Sequence, residues 1–255
     1  MNLFSIFVFS KLFDRFTLFI FYSEPFVRAM VVTSWRSGST LTGELLNSLP
    51  GSFYSYEPLS LFGIDRIYNG SKHVQSAINV IKGILQCDYT IVHKECTFKE
   101  KPKIEVILPT NFYNYVFILL DQEKRMAYHE TAAGELLTRN GFLRPHCNHK
   151  EKRAFICSRT DFLDNMCSLS KFHAMKTVRL GLDVASKLLY DNDVNYGLKI
   201  IYIARDPRGL VNSRLKREWC VTNKRCIGAE AICKDLERDY WVAKNLSEFN
   251  QGSIK

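Results

Sequence analysis

The sequence predicts an α/β fold, a central mostly parallel sheet flanked by helices. Two strand–turn–helix units predict it, one over residues 26–49 and one over 198–216. Each joins a short β-branched apolar run to a turn that starts a helix. The third observation is composition: 46% hydrophobic, 24% charged and 13% aromatic over 255 residues. That is globular, without a repeat of fixed period, and excludes disordered and collagen-like chains.

Taken in order, the chain opens on a broken apolar segment, residues 1–25. Leu3–Phe9 and Phe16–Tyr22 are separated by Lys11, Asp14 and Arg15. A membrane span needs ~20 mostly apolar residues, and a signal peptide needs a basic start and small residues at its end. Three readings stay open: a degenerate signal-anchor, an interfacial helix or hairpin, and a mis-assigned start.

Residues 26–33 read as a buried strand. Ser34-Trp-Arg-Ser-Gly-Ser-Thr40 follows, then helical apolar spacing from Leu41 to Leu49, stopped by Pro50-Gly51. This is the geometry of a phosphate site. Gly38 lets backbone approach an anion, and the free N–H groups of the first helical turn point at it with about half a positive charge. Ser37, Ser39 and Thr40 offer hydroxyls, and Arg36 offers a permanent forked cation. The Gly-Lys-[Ser/Thr] ending of a Walker A loop is missing, which removes a P-loop nucleoside kinase.

The second unit runs from Leu198 to Lys216. Asp206 is an expected N-cap and Pro207 sits at the first helical position, where its missing N–H costs nothing. Ser213, two turns on, returns to the face of Asp206. Arg205 at the strand end and Ser213 are therefore expected to converge on one anion, beyond the carboxyl end of the strand. Eight Lys or Arg against two acids over 196–225 make the local field positive. The whole chain carries +9, which favours a polyanionic partner without naming it. Nucleic acid is disfavoured, because the basic residues gather at βα turns and not on an aromatic-interleaved surface. Eight cysteines without a CxxC pair argue against zinc ribbons and thioredoxin-type sites. Disulfides in an oxidising compartment and buried thiols both remain open. Asn69-Gly-Ser71 and Asn245-Leu-Ser247 match the N-glycosylation acceptor pattern.

In order along the chain, these motifs resemble the Golgi carbohydrate 6-O-sulfotransferases, the galactose, N-acetylglucosamine and N-acetylgalactosamine enzymes. Trp35–Thr40 is similar to their 5′-phosphosulfate loop, and Arg205–Ser213 to their 3′-phosphate element. Between them, Phe53-Tyr-Ser-Tyr-Glu-Pro-Leu59, Leu85–Asp88 and Met175–Leu180 resemble further family segments, and Ile232–Glu237 resembles the cysteine-bearing helix that follows. The resemblance implies a P-loop-like sulfotransferase fold over residues 26–255. It implies 3′-phosphoadenosine 5′-phosphosulfate (PAPS) as sulfuryl donor, no metal, and a glycan or glycosaminoglycan acceptor. It also implies a Golgi luminal protein, single-pass type II where residues 1–25 are read as the signal-anchor. Trp35, Arg36, Ser37, Gly38, Ser39, Thr40, Arg205 and Ser213 become the expected donor-binding residues. Arg36 and Glu57 become the expected catalytic ones, Glu57 as the base that partial burial between Tyr54 and Tyr56 is expected to favour. His93 and Glu95, placed near a strand end, are alternative bases; Lys176 and Arg179 are expected at the end of a central strand. The family pattern continues with a further Arg-Tyr-Glu-Asp-Leu-type strand, so the C-terminal part is expected to be missing. That leaves a second reading open, an inactive nucleotide- or glycan-binding relative.

Overall fold

A computed structural model of the chain describes residues 27–97, 136, 139–147, 157, 159–191 and 198–249. The apolar segment 1–25 and the chain beyond 249 lie outside the described residues. Four strands, β1 (Val27–Thr33), β2 (Ser52–Tyr56), β3 (Phe172–Thr177) and β4 (Leu198–Ile203), form one sheet in the order β2-β3-β1-β4. All the pairings are parallel, as expected. β1 carries Ala29, Met30, Val31 and Val32, all fully buried, the near-continuous apolar run of a strand covered on both faces. β4 is one of the two sheet edges among the described residues, and beyond the buried Leu198 its apolar residues are only half-buried.

Alternation along the strands divides the core in two. Met30, Val32, Phe53 and Met175 face helices α2 (Val74–Gln86), α3 (Tyr89–Thr97) and α4 (Thr160–Leu169). Ala29, Val31, Tyr54 and Ala174 face α1 (Ser39–Asn47) through Leu46. α1 lies so close to the sheet that a Cβ on Gly43 would overlap the Tyr54 hydroxyl and touch Lys176. Only glycine admits that approach.

The short helix α5 (Leu182–Ala185) precedes β4; α6 (Pro207–Leu215), α7 (Glu218–Val221), α8 (Lys224–Ile227) and the long α9 (Ala229–Phe249) follow it. α9 is fastened by buried charge. Arg66 Nη2 meets Asp239 Oδ2 at 2.7 Å, while Asp239 Oδ1 accepts the Leu182 N–H at 3.0 Å. Tyr68 adds a hydroxyl bond to Asp235.

The cysteines are largely paired. Cys87–Cys167 joins the ends of α2 and α4, Cys147–Cys157 links residues ten apart in sequence, and Cys220–Cys226 ties α7 to α8. Cys233 is free and exposed. Beside the first disulfide lies His173 of β3, buried, with Nε2 3.0 Å from the carbonyls of Cys167 and Ser170. Burial, aided by the charge of Arg28, pushes its pKa below the ordinary histidine value. The unfolded chain therefore binds more protons there, and stability falls as pH drops from about 6.5 through the lower folded-state pKa. Urea melts between pH 7 and 5 should show that loss, and His173→Gln should flatten it. An unchanged slope in the variant would remove His173 as the cause.

Candidate functional site

The register sets the site. Thr33 pairs with Ile203, Val32 with Thr177, and Tyr56 with Lys176, so all four strands deliver their following loops to one edge. β1 is central, and the chain leaves it first towards β2 and later to β4 on its other side. That makes a topological switch point, where open parallel sheets bind ligands.

The loop after β1 is built from its own hydroxyls. Thr33 Oγ1 donates to the Ile203 carbonyl at 2.5 Å, tying β1 to β4, and Ser37 Oγ donates to the Ser34 carbonyl at 2.7 Å. Gly38 is the N-cap of α1 at φ 95°, with no side-chain cap and no acid in the first turn. The first N–H groups of α1 thus keep their donor capacity for an anion. Ser34 Oγ is buried without a hydrogen-bond partner among the described residues. Uncapped donors, an orphan hydroxyl and a glycine at the closest approach fit a phosphosulfate-type anion. Ser39 is buried at this helix start and Thr40 is exposed. The Ser37 hydroxyl, expected to face the ligand, instead turns into the loop.

The second expected unit meets the first. Arg36 Nε donates to Ser213 Oγ at 2.9 Å, and Arg205 Nη1 donates to the Arg36 carbonyl at 2.8 Å. Residues 169 and 177 positions apart in sequence thereby share one site. Asp206 does cap α6, accepting the Arg208 N–H at 2.9 Å, with Pro207 at the helix start. Gly209 leaves room for the Arg205 guanidinium, whose Nε would lie 3.1 Å from an added Cβ.

Trp35 has a different setting. Its indole donates to the Ile64 carbonyl at 3.0 Å and lies between the Arg179 guanidinium, 4.5 Å from the ring centre, and the Trp219 ring at 4.8 Å. Glu57 follows β2 at φ 46°, buried to 5% exposure. Lys176 Nζ lies 2.6 Å from its Oε1, and Arg179 Nη1 lies 2.7 Å from its Oε2. The expectation of a carboxylate flanked by tyrosines thus meets a carboxylate between two cations. Burial pushes the Arg179 pKa below the usual arginine range. Lys176 is the last residue but one of the inner strand β3, near its end as expected, with Arg179 two residues beyond the strand. Through Arg179, stacked on Trp35, the Glu57 cluster touches the first loop. Arg36 and Glu57 hold two of the three positive-φ backbones among non-glycine described residues. Such strain costs roughly 1–2 kcal/mol per residue and gathers at functional sites.

His93 and Glu95 do not sit near a strand end: both lie on α3, where Glu95 accepts a hydrogen bond from Asn79 of α2 at 2.6 Å. The segment is helical because Val92 packs on α2, where Gly83 leaves no space for a side chain. Local spacing gave no sign of Trp219 or of the buried Arg66–Asp239 pair, since both are contacts between distant segments. Among the described residues, no helix is long and apolar enough to cross a membrane.

No family model and no solved structure matches the chain. Curated proteins do. Carbohydrate sulfotransferase 7 of Rattus norvegicus is 25% identical over 194 residues, 73% of this chain and 38% of its own length. Carbohydrate sulfotransferase 1 of Danio rerio is 24% identical over 224 residues, 82% of this chain and 48% of its own. Carbohydrate sulfotransferase 6 of Homo sapiens is 24% identical over 193 residues, 75% of this chain and 44% of its own. The chain thus spans between about two fifths and one half of the relatives it matches. A parallel α/β sheet, two anion-type loops on one edge and this run of like-named relatives make the chain similar to the carbohydrate sulfotransferases over about three quarters of its length.

Proposed function

We propose that residues 26–255 form a PAPS-dependent sulfotransferase domain that moves a sulfuryl group to the 6-hydroxyl of a sugar in a glycan or glycosaminoglycan. The observation that carries the reading is the convergence of Arg36, Arg205 and Ser213 at the carboxyl ends of β1 and β4. PAPS supplies an activated sulfuryl group on a leaving 3′,5′-bisphosphate, a transfer that asks the protein chiefly for positioning and charge stabilisation. The 37–40 turn and the start of α1 hold the 5′ anion, with Arg36 over the bridging oxygen. The Arg36 guanidinium, a fixed cation with a forked donor set, stabilises the negative charge that builds there. Arg205 and Ser213 hold the 3′-phosphate, the group that distinguishes PAPS from ATP. Glu57 receives the acceptor hydroxyl's proton. Each carboxylate oxygen has two lone-pair sites, so Oε1 retains one beside Lys176. No metal is called for. The family resemblance and the disulfides support a Golgi luminal glycoprotein, with residues 1–25 as a type II anchor.

Thermal unfolding with adenosine 3′,5′-bisphosphate, against ATP and inorganic sulfate, tests the donor site. At ~100 times its dissociation constant the bisphosphate adds about 2.7 kcal/mol, a rise of several degrees. Arg205→Ala should abolish the selective rise while melting near the wild-type temperature without ligand. A folded protein that shows no selective rise overturns the reading.

A further inference from the structure

Arg214 follows Ser213 at the end of α6, yet its side chain turns inward and is 4% exposed. Among the described residues it makes no ion pair with a carboxylate. It gives its N–H groups to two backbone carbonyls instead: Nε to Trp35 at 3.1 Å and Nη1 to Cys226 at 3.0 Å. Burial pushes its pKa down to about 10. Asp235 lines the same cavity and attracts the guanidinium without pairing with it directly. An inward guanidinium held mainly by carbonyls is costly to keep, and the two carbonyls show what it joins. Trp35 belongs to the loop after β1. Cys226 closes the small α7–α8 hairpin through its disulfide to Cys220, and Trp219 of that hairpin packs on Trp35.

The Trp35 carbonyl belongs to the peptide group whose nitrogen is that of Arg36. In a trans peptide the C=O and N–H point opposite ways. Holding the Trp35 carbonyl inward therefore turns the Arg36 N–H away from Arg214. It also fixes the plane about which Arg36 takes φ 71°. A left-handed backbone at a residue other than glycine needs such outside support.

We propose that Arg214 is a positioning residue: it clamps the donor loop to the disulfide-closed α7–α8 hairpin and so holds Arg36 in its productive backbone conformation. This rests on the donor-site reading above and names the part of the fold that keeps that site in register. Lysine cannot replace the clamp, because one ammonium on a flexible stem does not span two carbonyls as the planar fork does.

The test compares Arg214→Lys, Arg214→Met and the double variant Cys220→Ser/Cys226→Ser with the wild type. Three quantities are read: the melting temperature, the near-ultraviolet circular dichroism of the Trp35–Trp219 pair without ligand, and the affinity for adenosine 3′,5′-bisphosphate. Trp219→Phe identifies the pair's dichroism. Lysine should recover more of the melting temperature than methionine, yet both should lose the tryptophan signal and bind the bisphosphate about tenfold more weakly. A purely structural arginine would let affinity follow the melting temperature. Folded variants with the signal and affinity intact overturn the proposal. If the arginine variants fail to fold, the double cysteine variant decides, since it frees the hairpin without touching Arg214; an unchanged tryptophan signal there overturns the clamp. A wild type that ignores the bisphosphate defeats the donor-site reading alone, whereas the ligand-free dichroism still judges the clamp.

Discussion

Arg36→Ala is expected to lower sulfuryl transfer about 100- to 1,000-fold, the usual effect of removing one donor aimed at developing charge. Arg36 is exposed, and its side chain bonds to Ser213, with no ion pair among the described residues. The melting temperature should therefore move little. Lysine at the same position restores the charge but not the fork, and should recover part of the rate. Transfer of labelled sulfate from PAPS to a desulfated glycan measures this, with bisphosphate affinity followed in parallel. A loss under tenfold would take the transition-state role away from Arg36 and leave it a binding residue.

Asp239→Ala should have the largest effect on stability. Arg66 and Asp239 are 4% and 0% exposed at the side chain, and Asp239 also receives the Leu182 N–H. Removing one partner leaves a buried, uncompensated guanidinium and an unmet amide. The cost of such a deletion is about 3–5 kcal/mol, and at roughly 2–4 °C per kcal/mol the melting temperature falls by some 6–20 °C. Replacing both partners, Arg66→Met with Asp239→Leu, removes the stranded charge and should be milder than Asp239→Ala alone. Chemical denaturation of the single and double variants checks the order. A double variant no milder than the single would show that the Leu182 amide, unmet in both, and not the stranded charge, dominates. The pair fastens α9 over the sheet, so this also measures how far the long C-terminal helix belongs to the same cooperative unit.

Much of the fold was legible because its signals are local. The apolar run through Val32, the stop at Pro50-Gly51, and Asp206-Pro207 at the start of α6 each follow from the nearest few residues. The two anion-type turns were legible for the same reason, as was their expected place at strand ends. The helix over Tyr89–Thr97 was less so: its periodicity is short, and its packing against Gly83 belongs to another segment. Glu57 stood out in sequence through its motif, but Tyr54 and Tyr56 beside it pointed to an apolar setting. Its cations come from β3 and the turn after it, about 120 residues on.

The sequence by itself determined the strand–turn–helix units, the anion-friendly chemistry of residues 35–40 and 205–213, and the likeness to carbohydrate sulfotransferases. Only the tertiary structure decided that Arg36 meets Ser213, that Glu57 sits between Lys176 and Arg179, and that six cysteines pair as they do. Propensity, capping and turn chemistry act over a few residues. Strand order and register decide which distant side chains share a sheet edge, and those are set by burial summed over the whole chain.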